Sequence, residues 1–93
     1  MKTVLTLTLI TKDNQILLGL KKRGFGMGKL NGFGGKVEAG ESVKEAAIRE
    51  LFEESSLEAK SLDAMAVIDF SWQAKQQDLE VHVFHSNNFV VLI

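Results

Sequence analysis

The stretch Ser42–Ser55, SVKEAAIRELFEES, constrains the fold of this chain more than any other. Ser42 followed three residues later by Glu45 is a capping-box pattern, in which each side chain satisfies a backbone N–H left over at a helix start. No Gly, Asn or Pro interrupts Val43–Glu54, and Ala46, Ala47 and Leu51 favour helix. A helix is expected here. At about 100° per residue, Val43, Ala47, Ile48, Leu51 and Phe52 make one broad apolar arc, with Lys44, Glu45 and Arg49 opposite and facing water. Glu50, Glu53 and Glu54 fall together at one edge of that arc, where like charges at i, i+3 and i+4 repel. Divalent cations held through carboxylate oxygens would remove the repulsion, and magnesium suits a few carboxylates combined with substrate phosphates.

The rest of the chain reads as strands around that helix. Thr3–Thr11 alternates and is β-branched, with Leu5, Leu7 and Leu9 on one side and Val4, Thr6, Thr8 and Ile10 on the other. Lys12-Asp13-Asn14 is a turn signal, which makes Gln15–Lys21 its hairpin partner. Glycines at 24, 26 and 28 make Arg23–Lys29 a loop, and Asn31–Gly35 reads as a short strand ending in a glycine bend. Beyond the helix, Leu62–Trp72 and Leu79–His85 form a further hairpin across Gln73–Asp78, followed by the wholly apolar Phe89–Ile93. His82 and His85, three apart on a strand, point to opposite faces and do not share a metal. The expected class is β-rich α+β, a mixed sheet with at least one helix on a face.

Size and charge exclude several functions. At 93 residues the chain is one domain, 1–93, with 45% hydrophobic and 25% charged residues. A net charge of −1 argues against non-specific binding to polyanions such as nucleic acid. The absence of cysteine excludes disulfides and thiolate metal sites. No apolar run approaches a membrane span and no signal pattern opens the chain, so a cytoplasmic monomer is expected, extending to nucleus or mitochondrion if the source is eukaryotic.

An acidic helix alone is usually a solvated face laced with ion pairs. Here Gly35, Glu41, Arg49-Glu50-Leu51, Glu53-Glu54 and Leu57 also stand at fixed offsets. That spacing over residues 35–57 resembles the Nudix box: Gly, five residues, Glu, seven residues, Arg-Glu-aliphatic, one residue, Glu-Glu, one residue, Gly, aliphatic. Ser56 replaces the last glycine, which puts the turn that ends the helix under strain. The flanking GLKKRGFGMGKLNGFGGKVEAGE, and later VHVF, are similar to the branch that hydrolyses oxidised purine nucleoside triphosphates such as 8-oxo-dGTP. The resemblance implies a mixed sheet between helices and magnesium- or manganese-dependent cleavage of a small nucleotide. It makes Glu50, Glu53 and Glu54 metal ligands with the Gly34 carbonyl, and gives Arg49 and Glu41 an orienting role. Glu53 or Glu54 would be the base.

Substrate contacts are expected along the flanking segments. Lys21 and Lys36 are candidates for phosphate, beside Phe33, Gly34 and Gly35. Asn31 is the candidate for reading the base, because its amide offers both a donor and an acceptor to a purine edge. Thr6, Phe25 and Phe70 look like pocket walls, and Trp72 like core or rim. Family members usually continue for tens of residues past the position of Ile93, adding strands, a C-terminal helix, base-recognising acids and a further metal-binding glutamate. A shortened product with impaired activity is therefore expected, with two alternatives kept: a non-catalytic nucleotide- or partner-binding remnant, or a Nudix hydrolase acting on another nucleoside diphosphate derivative.

Overall fold

A computed structural model describes residues 2–20, 30–72 and 76–92. Strand β1 (Lys2–Lys12) turns back through Asp13 and Asn14, both at positive φ (53° and 63°), into β2 (Gln15–Leu17). Two successive left-handed residues make the primed type of turn whose twist matches a hairpin, and Asp and Asn tolerate that conformation. The expected partner Gln15–Lys21 is thus divided, with β3 (Gly19–Leu20) leaving to pair with β4 (Leu30–Asn31). Helix α1 (Val43–Ser55) follows, then β5 (Leu57–Ala59), β6 (Asp63–Trp72), β7 (Gln77–Ser86) and β8 (Phe89–Val91). Two short strands, β5 and β8, pair with each other where the sequence signalled only an apolar end.

The main sheet runs β2-β1-β7-β6, with β1 and β7 parallel and the other pairs antiparallel. Register assigns its two faces. Opposite Thr6, Thr8 and Ile10 stand His82, Phe84 and Ser86, so these six share one face. Leu5, Leu7 and Leu9, with Val81, Val83, Ile68 and Phe70, share the other. Helix α1 covers the first face: Ile10, Phe33, Leu51 and Leu57 form one buried cluster, and Ala47, Leu62 and Phe84 another. The leucine face stays only half covered among the described residues, and Ile68 and Phe70 are 42% and 52% exposed.

Helix α1 forms where the sequence places it, and both bonds of the capping box are present: the Glu45 N–H donates to Ser42 Oγ and the Ser42 N–H to Glu45 Oε1. Its buried side differs from the expected arc. Ala46, Ala47 and Leu51 are buried, whereas Ile48 and Phe52 lie in solvent, Phe52 at 46% exposure. The helix is rotated so that Glu50 and Glu54 turn inward toward the Gly34–Gly35 segment, which carries no side chains to exclude them. That rotation carries Ile48 and Phe52 out of the interface. Ser56 ends the helix in the left-handed conformation (φ 61°), its N–H donating to the Phe52 carbonyl.

Candidate active site

Residues 33–37 run antiparallel beside the first half of β1. The N–H groups of Thr6 and Thr8 donate to the carbonyls of Gly35 (2.8 Å) and Phe33 (2.6 Å), and the Val37 N–H donates to Val4 (3.0 Å). The two glycines are demanded for different reasons. A Cβ on Gly34 would overlap the Thr6 carbonyl oxygen, so any side chain there breaks the strand pairing. A Cβ on Gly35 would sit 2.6–2.7 Å from the Glu50 carboxyl group, so the missing side chain makes room for that carboxylate.

Arg49 organises the acids. Its Nη2 and Nε donate to the two oxygens of Glu41 (2.7 and 3.0 Å), a bidentate pair, and Nη2 also donates to the Lys36 carbonyl (3.0 Å). Nη1 reaches both Glu50 Oε1 (2.8 Å) and Glu53 Oε1 (3.0 Å), with Glu38 at 3.7 Å. The side chain expected to face water is therefore only 25% exposed, because its charge is used on four carboxylates. Glu41, then Glu53 and Glu50, hold the guanidinium in its charged form well beyond the ordinary arginine range. Arg49, assisted by the Glu38 N–H, pulls the Glu41 carboxyl below its usual pKa. Glu54 is fixed from the other side: the Gly34 N–H donates to its Oε1 at 2.8 Å.

Three carboxylates on one helical turn are thus held at the mouth of a glycine bend. All the donors are hard oxygens, which fits magnesium or manganese rather than a softer metal. Among the described residues no three acidic or histidine groups already converge as a metal cage. Arg49 Nη1 lies between Glu50 and Glu53, so the guanidinium serves as their counter-charge.

The other expected site residues are dispersed. Thr6 is buried on the helix-covered face, its Oγ1 3.5 Å from the Gly35 carbonyl, whereas Phe70 stands on the opposite face of the sheet. Phe33 is part of the core with Ile10 and Leu51. Lys36 is exposed and joins the site through its main chain. Asn31 pairs with Gly19 through the backbone. Lys21 and Phe25 lie outside the described residues. His82 and His85 point to opposite faces, His82 bonding Glu80 (2.7 Å) and His85 bonding Thr11 (2.6 Å). The sequence reading missed two main-chain contributions, the Lys36 carbonyl and the Gly34 N–H, because neither depends on which side chain its residue carries.

The NUDIX domain profile matches residues 1–91. The chain belongs to the Nudix family. Among curated relatives, an oxidized purine nucleoside triphosphate hydrolase of Danio rerio is 46% identical over 92% of this chain, and that of Mus musculus 43% identical over 89%. The matched regions are 55% and 53% of those two proteins, so this Nudix chain spans about half their length. Among solved structures, the MutT NUDIX hydrolase of Burkholderia pseudomallei superposes with a TM-score of 0.89 at 28% identity, covering 97% of this chain and 70% of that one. The MutT protein of Methanosarcina mazei gives 0.80 at 25% identity over 99% of this chain and 67% of its own. These relatives support the mixed-sheet-plus-helix α+β fold.

Proposed function

We propose that this domain hydrolyses oxidised purine nucleoside triphosphates, 8-oxo-dGTP being the type, to the monophosphate and pyrophosphate with the help of a divalent cation. The observation that carries the reading is the arrangement of Glu50, Glu53 and Glu54 on one helical turn, two of them steadied by Arg49 and the third by the Gly34 N–H. The names of the relatives supply the substrate class. A magnesium or manganese ion bound there would neutralise phosphate charge and acidify a water.

The chain's own groups have separable tasks. Glu50, Glu53 and Glu54, with the Gly34 carbonyl, would hold the cation, and Arg49 with Glu41 sets the orientation of those carboxylates. Water attacks the β-phosphorus, the bond to the α,β-bridging oxygen breaks, and the proton passes to Glu53 or Glu54. The exposed Lys36 amine and Lys21 would contact the phosphates, and Asn31 the base. Phe70, on the open leucine face, would flank the ring with Phe25, while Thr6, Phe33 and Gly35 support the acidic turn from the helix-covered side through packing and close backbone approach.

The test is a panel of nucleotides incubated with purified chain, with and without magnesium, reading pyrophosphate. The reading expects release from 8-oxo-dGTP that needs the cation and is lost in Glu53→Gln; metal-independent turnover would refute it. Because the chain spans about half of its relatives' length, a second reading is a nucleotide-binding domain without turnover. Nucleotide binding with no pyrophosphate, by a well-folded protein, would favour it.

A further inference from the structure

The outermost strand of the main sheet, β6, is its longest open edge: among the described residues nothing pairs with its outer side. Sheet edges of soluble proteins are usually kept short or guarded by Lys, Pro or cover, since their free N–H and C=O groups invite another strand. The ten residues of β6, DAMAVIDFSW, contain no Lys, Arg or Pro, and Asp63–Ser71 are all exposed. The side chains along it are largely apolar, with Met65 62% and Val67 56% exposed. A bulge at Met65 ends the regular ladder, leaving Ala66–Trp72 as a straight edge.

We propose that β6 pairs antiparallel with β6 of a second copy, on a two-fold axis at Ile68, joining two sheets into one. The register follows from side-chain chemistry. Centring on Ile68 sets Phe70 against Ala66, Ile68 against Ile68 and Ala66 against Phe70, all on the open leucine face. On the helix-covered face it sets Asp69 against Val67. Moving the axis one residue toward the C-terminus would oppose Asp69 to Asp69, which is unfavourable, and moving it one residue back runs the pairing into the bulge. The two half-covered apolar faces then become continuous across the axis. A two-fold closes after two copies, since each edge is used once. With a net charge of −1 per chain, little long-range repulsion opposes the approach. This departs from the expected monomer.

The chain has no cysteine, so a single introduced thiol reports the register. In Ile68→Cys the two thiols meet across the axis, at a Cβ separation of about 4.5–5.5 Å, and a disulfide or a short bis-maleimide should link them. In Ser71→Cys the two thiols are offset by six residues, roughly 20 Å, and should stay unlinked. Sedimentation of the unmutated chain from micromolar to millimolar concentration should show a monomer–dimer equilibrium, which Ile68→Lys shifts to monomer. Amide exchange of the unmutated chain is the readout independent of any variant, with Ala66–Phe70 gaining protection as concentration rises. A monomer throughout with unchanged exchange, linkage of Ser71→Cys as fast as Ile68→Cys, or open-ended assembly overturns the proposal.

Discussion

Ser56 holds the end of helix α1 at φ 61°, ψ 20°, a conformation that costs a residue with a Cβ about 1–2 kcal/mol. Its side chain is exposed and makes none of the helix-end hydrogen bonds, which come from its backbone N–H to Phe52 and from Ser55 Oγ. Ser56→Gly should remove that strain while giving back part of the gain, about 0.4–1 kcal/mol, through a more flexible unfolded chain. A net stabilisation of about 0.5–1 kcal/mol remains. In a domain of this size that is a rise in Tm of about 2–8 °C. Ser56→Ala is the control, because it deletes the hydroxyl and keeps the Cβ. Thermal unfolding followed by circular dichroism should place Ser56→Ala near the unmutated chain and Ser56→Gly above both. If Ser56→Gly melts at or below Ser56→Ala, the backbone-strain argument is wrong.

Other substitutions follow from the same geometry. Thr8 is fully buried and its Oγ1 has no hydrogen-bond partner among the described residues, so Thr8→Val should raise stability by about 1 kcal/mol in urea unfolding. Gly35→Ala should weaken cation binding far more than it lowers Tm, since the new methyl displaces the Glu50 carboxylate rather than backbone; calorimetric titration beside a thermal melt separates the two effects. Glu41 is depressed below the ordinary value near 4.5 by Arg49 and the Glu38 N–H, so its contribution is complete above that pH and lost as pH falls through the lower folded-state value. Glu41→Gln should accordingly flatten the acid limb of a stability–pH profile while lowering stability at neutral pH. Glu80, depressed by His82 and then Lys2, adds to the same limb, and its removal should leave the Arg49 network intact.

What the sequence made legible was local. The capping box, the unbroken helix, the β6–β7 hairpin and the alternation of β1 are written in neighbouring residues and form as expected, whereas the first hairpin forms only over Gln15–Leu17 before the chain leaves for β4. The rotation of the helix was not legible, because it depends on a segment far along the chain, where Gly35 leaves space for Glu50 and the Gly34 N–H receives Glu54. A wheel that ranks apolar side chains therefore puts Ile48 and Phe52 inside. Arg49 was misplaced for the same reason: on the wheel it faces water, but Glu41 and the Lys36 carbonyl come from a separate segment to meet it. Strands β5 and β8, three residues each, have too short a pattern to announce themselves. Separation of Thr6 from Phe70 onto opposite faces follows only from strand register, which single-residue reading does not supply.

The account stands on three side chains, Glu50, Glu53 and Glu54, existing to bind cations. Magnesium titration of the folded chain by calorimetry, beside the same chain with all three changed to Gln, tests it most directly. The account predicts measurable binding in the first and none in the second, with both proteins cooperatively folded. Equal affinity in the two would contradict it.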